Sequence, residues 1–372
     1  MGKFFTNLRV FAGIVILLLL SQQALLAEPD DGEVETESAV ESLTVGCAKI
    51  IVPVVLSADN NYAPQMYVTM LSMLKNANRA TCYYFHLLIP SNFEQRYKDE
   101  IVIFVNKYDC KITFIDMGAK LLGVTIPGNF PLAASYRLMA PDLLPNFDKC
   151  LYMDVDVIVY HDLADLYNNT DLGDCYIAGI KDATPLSDER SIRYVASVLN
   201  IDTDQYVNSG VLLMNLDLMR KDELSKKLIA VAKHGIDGTK PFLFPDQDAL
   251  NKVCCGRIKF LDIKYNVRQD FFIKVKKIQK AREDFENYFG KEQLNEAYTN
   301  PFVFHFVCPV KPWASQFLLH EYACEWWKWL KETPFYDEVL RKVNSKPNLI
   351  PTPIIAKPSK VEEIHISEIW KN

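Results

Sequence analysis

The sequence predicts an α/β protein whose mostly parallel central sheet carries helices on both faces. Three observations predict it. From about residue 50 onward, short apolar runs alternate with stretches of helical periodicity, and such alternation builds parallel sheets. The runs are apolar throughout rather than at every second residue, as strands covered on both faces are. Hydrophobic residues make up 49% of the chain and charged residues 24%, which suits a globular core and excludes a disordered or collagen-like chain.

The elements follow in order. The run IIVPVVLS, residues 50–57, reads as the first strand, and Pro53 inside it suggests an edge or a strand start. Met66, Met70, Met73 and Leu74 recur at helical spacing. Residues 83–89 (YYFHLLI) form a second strand. Ser91 and Glu94 make a capping box and predict a helix running to about Asn106. Residues 111–115 (KITFI) are a third strand, 133–144 a helix, and 150–160 (CLYMDVDVIVY) the most strand-like stretch in the chain. Residues 176–180 and 211–216 are further strands, 217–234 an amphipathic helix, and 257–262 a strand. Residues 321–343 are helical and carry Trp326, Trp327 and Trp329. The acids Glu325, Glu332, Asp337 and Glu338 among them favour packing on the body over an anionic lipid surface.

The ends differ from the body. Residues 1–27 hold Lys3 and Arg9, no acid, and an apolar run at 10–20. That run is short for a bilayer, which needs about 20 residues, so the segment reads as a secretory leader or, alternatively, an uncleaved membrane anchor. Residues 28–46 read as an acidic linker. Two of the 41 basic residues lie in the leader and seven of the 47 acidic ones at 28–41, which leaves 39 against 40 beyond. The formal charge of −6 therefore sits in the tether, and no basic surplus marks a nucleic-acid binder. The expected organisation is leader or anchor at 1–27, linker at 28–46, main domain at 47–320, and a helical, aromatic-rich extension at 321–372. Nine scattered cysteines without CxxC spacing argue against a zinc framework. An exported chain can form disulfides, and cysteines within apolar runs, such as Cys150, read as buried thiols.

Chemistry concentrates in five clusters. Asp154-Val155-Asp156 ends an apolar strand, and period-2 geometry points both carboxylates to one side. Two such charges repel unless a cation lies between them, and the flanking LYM and VIVY hold no base, so Asp154 and Asp156 are candidate metal ligands. In open α/β sheets, ligands gather beyond the carboxyl ends of the strands. His305 is delivered by a strand-like run and followed by Lys311-Pro312-Trp313. The imidazole suits a mixed N/O shell for Mn²⁺ or a similar divalent ion, and Lys311 suits a phosphate. Asp246-Gln247-Asp248 opens a helix, where acids also serve as simple caps. Asn208-Ser-Gly210 reads as a turn feeding a buried strand, with Gly210 serving backbone geometry and Asn208 capping or touching a ligand. The loop Ser57-Ala-Asp59-Asn60-Asn61-Tyr62 follows the first strand, where a doubly wound sheet receives a nucleotide.

In this order the clusters resemble the retaining glycosyltransferases of family 8, which include bacterial lipopolysaccharide galactosyl- and glucosyltransferases and glycogenin. The matching stretches are SADNNY, ASYRL, DKCLYMDVDVIV, NSGVLLMNL, FPDQDALN and HFVCPVKPW, from about Ile50 to Trp313. The resemblance implies a GT-A fold, a UDP-hexose donor, Mn²⁺ and a saccharide or glycolipid acceptor. It implies metal ligation by Asp154, Asp156 and His305. It implies donor contacts at Ser57, Asp59, Asn61, Arg137, Val155, Asn208 and Lys311, with Asp59 and Asn61 on the uridine and Lys311 on the diphosphate. Asp182, Asp246 and Gln247 fall where catalytic groups face the donor sugar. One residue departs from the pattern: Cys308 stands where the family loop usually has Gly, and a side chain there alters a close backbone approach. The competing expectations are a non-catalytic nucleotide-sugar binder on this fold and, less well matched, an Asp-x-Asp phosphatase. A leader combined with a UDP-sugar points to the secretory pathway, in a Golgi-type lumen, or to a membrane-associated bacterial enzyme facing the cytosol.

Overall fold

The computed structural model describes residues 49–118, 120–121, 131–182, 189–235, 238, 242–271, 286–307, 311–313 and 321–344. The leader, the acidic linker, Cys308 and the chain beyond residue 344 lie outside them.

The strands are β1 (Ile50–Ser57), β2 (Thr81–Ile89), β3 (Lys111–Asp116), β4 (Lys149–Met153), β5 (Val157–Val159), β6 (Ile177–Lys181), β7 (Val207–Asn215), β8 (Ile258–Phe260), β9 (Val267–Arg268) and β10 (Val303–His305). Seven of them form one sheet in the order β3-β2-β1-β4-β7-β6-β8. Its β1–β2, β2–β3, β1–β4 and β6–β8 pairs are parallel, and only β7 runs against its neighbours. A second sheet has the order β5-β10-β9.

The main helices are α1 (Ala63–Lys75), α2 (Gln95–Asn106), α3 (Leu224–His234), α4 (Pro245–Cys254), α5 (Lys291–Thr299), α6 (Glu321–Lys331) and α7 (Tyr336–Asn344). α1 to α4 cover the large sheet from both sides, and α5 to α7 pack with the small one. Val52, Val54 and Leu56 of β1 pack with Met66 and Met70 of α1 and Phe104 of α2. Val55 turns the other way and joins Leu138, Leu228 of α3 and Leu250 of α4. Successive β1 side chains thus enter opposite cores, which is why that run is apolar throughout. A third cluster seals the small sheet, with Ile158, Phe304 and Phe306 under Trp326 and Leu330 of α6.

The sequence reading needs six adjustments. First, the stretch 150–160 is not one strand. It breaks at Asp154-Val155-Asp156, with β4 in the large sheet and β5 in the small one. Second, Pro53 lies in a central strand, not at an edge. The β1–β4 ladder holds only Val54 and Val55, so it begins just after the missing N–H. Third, the predicted helix at 217–234 divides into Leu216–Lys221 and α3 at Glu223, whose φ is +53°. Fourth, no capping box forms before α2. Glu94 is itself the cap residue, without a side-chain cap bond, while Ser91 Oγ donates to Asp116 Oδ1 at 2.9 Å. Fifth, the stretch predicted helical at 133–144 is a 3-10 helix, Leu132–Met139, before the short Ala140–Leu143. Sixth, the tryptophan-bearing stretch is two helices, and it packs on the body as expected, Trp326 being fully buried. Among the described residues no helix is long and apolar enough to cross a membrane.

Candidate metal centre and donor site

Asp154 and Asp156 sit where the chain crosses from the large sheet to the small one. Their convergence comes from that crossing, not from strand pleating. The Asp154 N–H donates to Gly210 O of β7 at 2.7 Å, and Phe306 N–H donates to Asp156 O at 2.9 Å. The register of β10 on β5 sets His305 against Val157. His305 Nε2 then lies 3.1 Å from Asp156 Oδ1 and 3.7 Å from Asp154 Oδ2. Neighbouring ligands on a hard cation with bonds of about 2.1–2.6 Å lie roughly 3.0–3.7 Å apart. All three donor atoms lie within 4.8 Å of one another, and two carboxylates with one imidazole suit a divalent ion of the Mn²⁺ type. The residues fit such a group.

A chain of hydrogen bonds fixes the imidazole. Gly210 N–H donates to Asn208 Oδ1 at 3.0 Å, which settles that amide's orientation. Asn266 Nδ2 donates to the same oxygen at 2.8 Å, so Asn266 Oδ1 faces His305 Nδ1 at 2.9 Å. Nδ1 therefore carries a proton, and in the neutral ring the Nε2 lone pair aims at the acidic pair. Metal-bound histidines are held this way through their second nitrogen. Gly210 is needed for space as well: a Cβ there would stand 2.2 Å from His305 Cε1 and 2.8 Å from Asp154 Oδ2.

Two bases offset the acids, and both come from distant parts of the chain, so the absence of Lys and Arg near residues 154–156 does not leave the pair uncompensated. Arg137 Nη2 donates to Asp154 Oδ1 at 2.6 Å, and its Nε lies 3.2 Å from Asp246 Oδ2. Lys311 Nζ donates to Asp156 Oδ2 and to Phe306 O. Burial pushes both carboxyls up, and the outcomes diverge. Lys311 and His305 hold Asp156 below the usual carboxylate range. Asp154 stays above it, because burial and the Asp156 charge outweigh Arg137.

The other expected site residues fall into two groups. Asn208, Asp182, Asp246 and Gln247 join the acidic centre in one buried network. Gln247 Oε1 accepts from Ser209 N at 3.0 Å and Asn208 Nδ2 at 3.1 Å. Its Nε2 donates to Asp182 Oδ2 and to Tyr206 OH, each at 3.1 Å. Asp182 is clamped by Arg268 Nη1 from β9, and Asp246 Oδ2 accepts from Ser209 Oγ at 3.1 Å. Asn208 lies inside β7, not in a turn before it. Capping describes only Asp248, whose Oδ2 accepts from Phe244 N at 3.0 Å. Burial raises that carboxyl to about 6 even though Tyr194 and Tyr206 hydroxyls donate to it.

The second group is the loop after β1. Ser57 Oγ donates to Tyr152 OH at 3.1 Å, which in turn donates to Asp154 Oδ1 at 3.1 Å. Asp59 Oδ1 accepts from Asn61 N at 2.9 Å and Tyr62 N at 3.2 Å, an Asx turn that shapes the loop. No described hydrogen bond joins Asp59 or Asn61 directly to the acidic centre. Ser57 reaches it through the Tyr152 hydroxyl, and the ring of Tyr62 meets Trp313 edge-on at 6.3 Å. Val155 lends its carbonyl to Thr69 Oγ1 at 3.0 Å.

The profile of Glycosyl transferase family 8 matches residues 53–316. The chain belongs to glycosyl transferase family 8. A putative glycosyltransferase of Haemophilus influenzae is 26% identical over 220 residues, covering 57% of this chain and 62% of that protein. Lipopolysaccharide glucosyltransferase WaaO of Escherichia coli is 25% identical over 287 residues, covering 76% and 75%. The crystal structure of the galactosyltransferase LgtC with donor and acceptor sugar analogues superposes with a TM-score of 0.61 at 22% identity, over 76% of this chain and 96% of that one. The fold of this family 8 member is therefore GT-A, and its chain spans somewhat less than two thirds of the Haemophilus relative.

Four groups of this family 8 centre escaped sequence reasoning. Asn266 and Arg268 lie on a short stretch with no motif around it. Ser209 and Tyr152 adjoin residues that were singled out, so the signal for them was proximity alone.

Proposed function

We propose that this family 8 member is a retaining hexosyltransferase. It moves galactose or glucose from a UDP-sugar to a saccharide or glycolipid acceptor, with Mn²⁺ or a similar ion held by Asp154, Asp156 and His305. The observation that carries this reading is the convergence of those three donors beside Lys311 at the carboxyl ends of β1 and β4.

Cleavage of the anomeric bond leaves negative charge on the diphosphate. The bound divalent ion supplies Lewis-acid stabilisation of that charge. Lys311 adds a compact positive charge on the same side and moves from Asp156 onto a phosphate oxygen when the donor enters. Arg137 holds Asp154 and Asp246 together, so the acidic centre and the sugar-facing residues keep one geometry. All four hydrogen-bonding positions of the Gln247 carboxamide are already occupied by Ser209, Asn208, Asp182 and Tyr206. Asp182 is held by Arg268. This argues against Gln247 as an attacking nucleophile and supports same-face attack by the acceptor, with Gln247 holding Asp182 and Asn208 in place around the sugar and the nearby carboxylates favouring the developing positive charge on the ring carbon. Asp59 and Asn61 serve the uridine. The secretory or membrane-associated location belongs to the same proposal and rests on residues 1–27.

Donor hydrolysis over a panel of UDP-sugars tests the reading without an acceptor. UDP release from UDP-galactose or UDP-glucose should require Mn²⁺ and fall at least a hundredfold in Asp154→Asn and Asp156→Asn. Unchanged turnover in excess chelator sinks the scheme.

A further inference from the structure

We propose that Cys82 and Cys110 form a disulfide that staples the edge strand β3 to β2, at the pole of the sheet opposite the acidic centre. The register supplies the first argument. The β2–β3 ladder begins at Tyr84↔Lys111, so Cys110 lies level with Tyr83 and one residue along from Cys82. Strands about 4.8 Å apart with a rise of about 3.3 Å place the two Cα atoms roughly 6 Å apart, within the span disulfides bridge.

The sulfurs supply the second. Cys82 Sγ lies 3.6 Å from Asp109 O, the carbonyl joined to the Cys110 nitrogen. The neighbouring Cys82 thiol also acts electrostatically on the Cys110 thiol. The two thiols are thus neighbours at the start of the β2–β3 ladder. The approach is set by Asp109, whose φ of +51° makes a tight turn. Lys49 Nζ holds that turn, bonding Asp109 Oδ2 at 2.6 Å and Asp109 O at 3.2 Å. Cys82 is buried and Cys110 half-buried. Burial pushes the Cys110 thiol up to about 12, which keeps the attacking thiolate scarce in the folded protein. The pair is therefore a structural staple and not a rapid redox catalyst.

The oxidant is a disulfide, either a small molecule or an exchange protein. The Cys110 thiolate attacks one of its sulfurs and expels one thiolate. The Cys82 thiolate then attacks the Cys110 sulfur of that mixed disulfide and expels the second. One S–S bond breaks in the oxidant and one forms in the protein. Two protons leave the protein thiols, and two electrons reduce the oxidant to two thiols.

The test uses the full chain equilibrated with oxidised glutathione, then denatured, alkylated and peptide-mapped. The expected result is a linked Cys82–Cys110 peptide, and a Tm about 5 °C lower after dithiothreitol. Cys110→Ala, at the more accessible position, should abolish the dithiothreitol-sensitive shift, as should Cys82→Ala. UDP release should not depend on the bond, so failure of the staple is separable from failure of the proposed function. Complete alkylation of both thiols after oxidation overturns the proposal, as does linkage of either to another cysteine.

Discussion

Gly210 shows how one residue holds three constraints at the centre. It accepts from Asp154 N–H, donates to Asn208, and leaves room for the imidazole of His305. The sequence suggested that its role was backbone conformation, yet it is not among the glycines with positive φ. The missing atom is what matters. Gly210→Ala should lower Mn²⁺ affinity at least tenfold in calorimetry while the far-ultraviolet circular dichroism stays unchanged. Asn266→Ala should weaken the same affinity about ten- to a hundredfold by releasing the Nδ1 proton's acceptor. Wild-type affinity in both variants contradicts the account of how His305 is held. At this scale the sequence disclosed the three candidate donors that the fold brings together, since carboxylates two apart and a histidine before Lys-Pro-Trp are visible in a linear string. It concealed their supports. Asn266 and Arg268 act across folded space, and no spacing along the chain marks them.

The elements were legible where their period was long and pure. β1, β2, β3 and α1 follow from apolar runs and helical spacing. The failures occur where tertiary bonding outweighs local pattern. Residues 150–160 look continuous because both halves are apolar, but each half satisfies a different sheet. α1 holds the break open. Thr69 Oγ1 lies 3.0 Å from both Val155 O and Val157 O, and Ser72 Oγ accepts from Val159 N at 3.0 Å. Two carbonyls at the turn of the acidic pair thus depend on one hydroxyl. Thr69→Val keeps the shape and removes the donor, so it should cost about 1–3 kcal/mol in urea unfolding. Metal affinity should fall with it. An unchanged midpoint shows that the hydroxyl is dispensable.

For the whole molecule, the C-terminal helix α6 packs against the segment that follows Lys311 from outside the large sheet. The Trp326 ring lies 4.6 Å from that of Trp313, and Trp327 Nε1 donates to Pro312 O at 3.0 Å. Lys311 is the residue just before this clamp. Trp326→Ala should cost about 3–5 kcal/mol and raise the KM for the donor more than it lowers kcat. Equal kinetics in a destabilised variant would show that the clamp serves stability alone. The sequence pointed to packing for this helix because its acids would be repelled by an anionic lipid surface. Its link to Lys311 needed coordinates.

His305 and Lys311 lie some 150 positions after the aspartates they meet. A ribosome builds the chain from its amino end, so the acidic pair emerges long before its imidazole and ammonium exist. The centre is therefore assembled only when nearly the whole domain has left the tunnel, and a truncated translation product carries the two acids without the means to use them.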